Sequence, residues 1–221
     1  MGQRSSKLAE THANVAHHFD TLEQQHEANV LGMWVFLMTE IMLFGGLFLS
    51  YTVYRTVYPE IFVEASRHQN VLLGTINTGV LIFSSLMMAL AVRSARIGSR
   101  TPLVVFLLVT ALFGTLFLGI KFLEYYQHYQ EGLVPGIAYR YPGPHANQAA
   151  LFFILYFVMT GIHAIHLTIG VGLVAVVAFR AWRGRYLGEN YTPVDLLGLY
   201  WHLVDIIWIF LFPLLYLIGL H

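Results

Sequence analysis

The stretch Tyr200-Trp201-His202-Leu203-Val204-Asp205-Ile206-Ile207-Trp208 sets an imidazole and a carboxylate inside an apolar run long enough to cross a membrane. A charged side chain near a bilayer midplane costs about 2.5–3.5 kcal/mol on insertion scales, so it is retained where neighbours satisfy it. His163 and His166 repeat the same one-turn spacing in an earlier apolar run, and each pair therefore shares one helix face. Glu40 stands deep inside the first run, in MTEIMLFGG, too far from either surface to reach water by snorkelling. Asp195 lies on the stripe of His202 but at the polar mouth of its run, where ionisation costs little. Asn77, Thr78, Ser84 and Ser85 line a second run, and Lys121 with Glu124 marks the end of a third.

Four kinds of chemistry would use such groups. Polar side chains in a bilayer hold helices in register by hydrogen bonding, for about 1 kcal/mol each. A b-type haem needs two facing imidazoles, which His163, His166 and His202 offer in principle. A di-iron or zinc site in a helix bundle asks for Glu-x-x-His on two helices, whereas this chain has His-x-x-His and His-x-x-Asp. A proton or lipid site would centre on Glu40, whose charge is expensive at that depth. Residue types and spacing leave all four open.

The elements that must position these residues are helical and membrane-spanning. Of 221 residues, 57% are apolar and 11% charged, with a mean hydropathy of +0.63; a soluble domain carries about 25% charged residues. A helix crossing a core about 30 Å thick needs about 20 apolar residues. Five segments meet that length, at about 29–54, 71–92, 102–125, 149–179 and 196–220. No strand alternation is present, so a barrel is excluded. The predicted fold is all-α, a bundle of five transmembrane helices, preceded by a polar tail over 1–28 and forming one membrane domain over 29–221. The connections are too short to be domains, and the third, carrying GLVPG and YPGPH, reads as a structured loop. Small residues at Ala111, Thr115 and Gly119, and at Ala164, Thr168 and Gly172, have the four-residue spacing of close helix packing.

Charge sets the orientation. Arg4, Lys7, Arg93, Arg96, Arg100, Arg180, Arg183 and Arg185 fall on one side, and Arg55, Arg67, Lys121 and Arg140 on the other. The positive-inside rule predicts a cytoplasmic N-terminus and a C-terminus outside. Tyrosines at 51, 54 and 58, and at 125, 126 and 129, fit an outer aromatic belt. Basic and acidic residues balance at 12 each, so no basic field speaks for nucleic acid. The lack of cysteine removes disulfides, thiolate metal sites and iron–sulfur clusters. The tail has no signal-peptide pattern and reads as a cytoplasmic lead-in. His12, His17, His18 and His26 lack a compact ligand spacing and read as solvated surface, although His12, His17 and Asp20 beside a proton-uptake mouth would gather protons.

Taken in order, MWVFLMTEIMLFGG, NTGVLIFSS, LGIKFLEYYQ, TGIHAIHLTIG and YWHLVDIIWIFLF resemble subunit III of the haem-copper oxidases, across nearly all of the chain after the tail. The resemblance implies the five-helix bacterial form, lacking the first two helices of a seven-helix relative. It sets Glu40 at the family's intramembrane glutamate, Asn77 in its Asn-Thr motif and Glu124 with Tyr125 at its Glu-Tyr pair. His163 and His166 match its paired histidines, and His202 with Asp205 its WHxVD segment. Asp195 stands where many members carry Glu, which keeps the charge on a shorter arm and leaves its partner open.

The same resemblance implies a chain without haem, copper or active site, packed on subunit I with subunit II in one complex, binding phospholipid in a cleft and supporting proton uptake. Haem and copper would sit in the partners. The complex would reduce dioxygen with electrons from cytochrome c while pumping protons across a bacterial cytoplasmic membrane. A quinol oxidase or a nitric oxide reductase system is the alternative setting, and association with a quinol-oxidising complex in a supercomplex is compatible with both. A membrane haem carrier and a small proton-coupled transporter are the readings from other functional classes. Under the resemblance the histidines become packing and hydrogen-bonding groups.

Overall fold

A computed structural model describes residues 22–137, 139–141, 145–186 and 191–220. His12, His17, His18 and Asp20 lie outside them, as does the side chain of His26. The described residues form no strand. Five helices are long and apolar enough to span a membrane, in agreement with the predicted number. They are α1 (Leu22–Val57), α3 (Val71–Ile97), α4 (Arg100–Gln130), α5 (Ala146–Trp182) and α6 (Thr192–Phe212). A short helix that the sequence reading did not anticipate, α2 (Pro59–Ser66), lies in the first connection, with Pro59 in its first turn where the missing N–H is harmless.

The chain divides into two compact units, residues 1–42 and 43–221. The first contains the N-terminal part of α1, which begins well before the predicted span and exposes Leu31, Trp34, Val35 and Met38. The second contains everything else. In it α3, α4, α5 and α6 close a ring of neighbours: α3 on α4, α4 on α5, α5 on α6, and α6 back on α3. Helices α4 and α5 overrun both predicted boundaries, α3 its end and α6 its start, because the hydrogen-bonded ladder continues past the apolar run until a cap stops it; α3 begins at the predicted Val71, and α6 stops at Phe212, short of the predicted 220. Asn70 caps the start of α3 by accepting from the Leu73 N–H, at 3.1 Å. Gly98 ends α3 in the left-handed region, at φ 78°, and permits the tight turn into α4.

Helix α6 is the most buried span, with 56% of its apolar window inside the protein against 28% for α3 and α4. Its two tryptophans explain this. Trp201 slides between Gly114 and Gly170; a Cβ on Gly114 would come within 2.8 Å of Trp201 Cη2, and one on Gly170 within 3.2 Å of Cζ3. Gly198 gives α6 the same close approach to α3, where a Cβ would meet Val92 at 2.8 Å. These glycines are not the predicted stripes. Gly119 and Gly172 have nothing within 4 Å of a built Cβ, and Thr115 and Thr168 are exposed, so those stripes lie on the outside of the chain. The close approaches fall at single glycines on three different helices and not along a four-residue stripe, because a ring's interior is chosen by which side the large aromatic partner occupies.

Beyond α6, Pro213 cannot donate to the helical ladder, and the backbone widens into a π-turn over Pro213–Leu217, then a 3₁₀ turn over Ile218–Leu220. The Tyr51 hydroxyl of α1 donates to the Leu214 carbonyl at 2.6 Å and holds this turn in place. The outside is apolar on every span, with Leu43, Ile82, Phe122, Ile165 and Phe210 exposed. A patch of that extent belongs against lipid or other subunits.

Candidate functional site

Where the C-terminal part of α4, the N-terminal part of α5 and the π-turn meet, a buried charge cluster forms. Lys121 and Glu124 share a face of α4 one turn apart, and the Lys121 ammonium stands 3.0 Å from Glu124 Oε2. Both side chains are almost wholly buried. Lys121 also donates to the hydroxyls of Tyr156, at 3.2 Å, and Tyr216, at 2.6 Å. Tyr156 donates in turn to Glu124 Oε1 at 2.9 Å, and Tyr216 donates to the same oxygen. Each phenol thus accepts from the cation and donates to the anion, closing two relays around one ion pair. The rings of Trp208, Tyr156, Tyr216 and Tyr125 lie 4.9–5.7 Å from the ammonium. Aromatic faces attract a desolvated cation and help to compensate its burial.

His128, one turn beyond Glu124, takes the Glu124 carbonyl at 2.8 Å and stacks on Tyr156. Tyr125 hydrogen-bonds Thr160 at 2.6 Å. Of the predicted Glu-Tyr pair, Glu124 faces into this cluster and Tyr125 lies at its side. Lys121, expected only as a charge at the outer end of its run, is enclosed in the cluster, and Tyr156 and Tyr216 join it without any mark in the sequence. The signal available was the i, i+3 spacing of Lys121 and Glu124; nothing local marks tyrosines contributed from two other elements.

The paired histidines part company. His163 is buried between Phe117 and Trp208, with ring centroids at 5.6 and 5.2 Å, and among the described residues neither of its nitrogens meets a hydrogen-bond partner. His166 is half-buried, with Nδ1 2.9 Å from the Ile162 carbonyl and its ring edge-on to Phe44. Asn77, fully buried, donates to the Phe117 carbonyl at 3.4 Å, which ties α3 to the same aromatic group. Trp208 completes it, its indole N–H donating to Thr78 at 3.0 Å.

His202 and Asp205 do share a face, as predicted, and the face is turned to α3. His202 Nδ1 lies 2.8 Å from the Ser85 hydroxyl, which also faces the buried Asp205 carboxyl. These three groups line a pocket of about 330 Å³ between α3 and α6. At the far end of the same two helices, Asp195 finds a partner, Arg96, in a forked contact with distances of 2.9–3.3 Å. Arg96 is largely exposed there, and Tyr191 lies under its guanidinium at 5.6 Å. Glu40 lies within the apolar run of α1, half-buried, in the first of the two units. Among the described residues no group of three or more His, Asp or Glu side chains is close enough to hold a metal ion.

A sequence model of the cytochrome c oxidase subunit III family matches residues 9–220. The chain belongs to that family. Among its relatives, cytochrome c oxidase subunit 3 of Synechocystis is 32% identical over 193 residues, covering 87% of this chain and 76% of that one. Quinol oxidase subunit 3 of Bacillus subtilis is 30% identical over 207 residues, covering 90% and 93%. Cytochrome bo(3) ubiquinol oxidase subunit 3 of Pseudomonas aeruginosa is 29% identical over 214 residues, covering 96% and 95%. A subunit III of a haem-copper oxidase is thus a multi-pass membrane chain of a larger respiratory complex.

Proposed function

We propose that this subunit III carries no redox centre and serves its oxidase by packing on subunit I, within a complex that includes subunit II, retaining phospholipid and sustaining proton uptake by the catalytic core. The observation that carries this reading is the self-sufficiency of the Lys121 cluster: its cation, anion and two phenols answer one another inside the chain. Such a network rigidifies a scaffold and needs no cofactor to complete it. The apolar exterior supports the rest of the reading, since helices in lipid associate by packing and by a few hydrogen bonds.

The chain sits in the bacterial cytoplasmic membrane with its N-terminus inside. The haem and copper, and the site that accepts electrons, belong to the partner subunits. Relatives named for cytochrome c and for quinol are about equally similar to it, so this reading covers both donors. In this reading Asn77, His163, His166, Asp195, His202 and Asp205 act as polar contacts of the scaffold, and Glu40, half-buried within an apolar run, serves lipid or proton uptake.

Purification of the tagged chain from its native membrane tests the reading. The expected result is co-purification with a dioxygen-reducing haem-copper core that shows a reduced-minus-oxidised haem band, while the separated chain shows none. A haem spectrum in the separated chain, or recovery without an oxidase, would defeat it. Glu40→Leu is expected to shorten the time for which the enzyme sustains turnover, and Glu40→Gln to preserve it.

A further inference from the structure

Two tyrosines perform the same task at Lys121 and Glu124, and they are held in different ways. Tyr156 stands within α5, where the regular helical ladder fixes it. Tyr216 stands in the π-turn beyond α6, and three contacts set its place. A Cβ on Gly74 would come within 2.8 Å of Phe212 Cε2 and 2.9 Å of Tyr216 Cδ1, so the turn lies flat on α3 where that glycine leaves room. Phe212 stacks on the Tyr216 ring at 5.5 Å. Two residues before Tyr216, the Leu214 carbonyl accepts from the Tyr51 hydroxyl at 2.6 Å. This third contact comes from α1, the least enclosed of the five spans, with 11% of its apolar window buried. The hydroxyls of Ser50, Thr52 and Thr56 turn back onto carbonyls of α1 itself, whereas that of Tyr51 crosses to the turn. The Tyr51 ring is wholly buried, edge-on to Phe62 of α2 at 5.5 Å and 6.4 Å from Phe152 of α5, which fixes the direction of its hydroxyl.

We propose that Tyr51 and the π-turn form a release latch, by which movement of residues 43–57 of α1 withdraws Tyr216 from Lys121 and Glu124 and opens the buried pair to small solutes. The duplicated relay is what makes release feasible. With Tyr216 withdrawn, Lys121 keeps Glu124 at 3.0 Å and Tyr156 at 3.2 Å, and Glu124 keeps Tyr156 at 2.9 Å. Neither charge is stranded, which is the event that makes breaking a buried pair so costly. The backbone supplies the movement. A π-turn holds one residue more per hydrogen-bonded turn than an α-helix, and tightening it to the α register rotates the residues that follow by about 100° around the axis. Such a rotation swings Tyr216 off the cluster, and the bond from Tyr51 to Leu214 holds the wider register against it. The latch works whatever subunits or lipids lie against the chain.

Acylation of Lys121 in the intact oxidase tests the latch. The chain has two lysines, and Lys7 of the polar tail serves as an internal reference. The complex is treated with acetic anhydride for graded times, and both lysines are followed by mass spectrometry. In the unaltered chain Lys121 is expected to react many-fold more slowly than Lys7. Tyr51→Phe keeps the ring and removes the hydroxyl, and it is expected to raise the Lys121 rate several-fold with Lys7 unchanged. Gly74→Ala lifts the same turn from α3 with Tyr51 intact and should raise the rate to a similar degree. The two together should do no more than either alone, because both unseat one element. Ser50→Ala, which removes a hydroxyl bonded within α1, is expected to leave the rate as it was. An unchanged rate in Tyr51→Phe, effects that multiply in the double variant, a rise shared by Lys7 or by Ser50→Ala, or a Lys121 as reactive as Lys7 in the unaltered chain would each overturn the proposal. If Tyr51→Phe does not assemble, Gly74→Ala decides, and an unchanged Lys121 rate in it overturns the proposal equally.

Discussion

Lys121 and Glu124 are better understood together than singly. A buried ion pair is strongly destabilised when one partner is removed, by about 3–5 kcal/mol, because the survivor is left uncompensated. Lys121→Met is therefore expected to lower stability in detergent by about that amount. The double variant Lys121→Met with Glu124→Gln should recover a large part, since Gln still accepts from Tyr156 and Tyr216 without carrying a charge. Thermal or denaturant unfolding of the two variants measures the difference; a double variant no more stable than the single one would contradict the relay geometry. The exposed pair Arg96–Asp195 is a different case. Its long side chain is mostly in solvent, and its removal should change stability by less than about 1 kcal/mol.

The elements depend on close approach at a few glycines. Gly114→Ala puts a methyl group within 2.8 Å of Trp201 and 2.9 Å of Val171, which forces α4 and α6 apart. Overpacking of this kind costs about 1–3 kcal/mol. Gly119→Ala meets nothing and replaces a helical glycine, so it should be neutral or stabilise the isolated chain by about 0.5–1 kcal/mol. Unfolding measurements on the two variants separate an inward-facing glycine from an outward-facing one. The connection between α4 and α5 is held differently. The Tyr139 hydroxyl donates to the Ala146 carbonyl at 2.6 Å, and burial pushes this phenol up to about 12. An unfolded tyrosine ionises near pH 10. Between about pH 10 and 12 the folded connection keeps a proton that the unfolded one has lost, so its stability is intact below pH 10 and falls as pH rises through that window. Proteolysis of the connection should accelerate there, and Tyr139→Phe should flatten the pH dependence.

At the scale of the whole molecule, the proposed orientation has a direct check, because the chain has no cysteine of its own. Single cysteines are placed at Ser99, in the turn between α3 and α4, and at Glu131, just beyond α4. An impermeant maleimide added to intact cells should label Glu131→Cys and reach Ser99→Cys only after the membrane is opened. The reverse pattern would invert the topology. Burial of Lys121 does not weaken the expectation. With Lys121 removed from the outer tally, Arg55, Arg67 and Arg140 remain against the eight basic residues of the other side, and the bias grows.

The helical class and the number of spans were determined by the sequence itself, because each is a matter of local composition: about 20 apolar residues must form a helix in lipid, and five such runs are present, while the family was carried by five motifs in order. So was the shared face of His202 and Asp205, since helical periodicity fixes which residues of one helix point together. Periodicity says nothing about what lies opposite. Only the tertiary structure decided that His163 and His166 would have different neighbours, that Gly114 and Gly170 rather than Gly119 and Gly172 would admit a tryptophan, and that Lys121 would be enclosed by tyrosines from α5 and the π-turn. Those outcomes depend on the rotation of each helix about its axis, which is set by contacts between residues far apart in the chain.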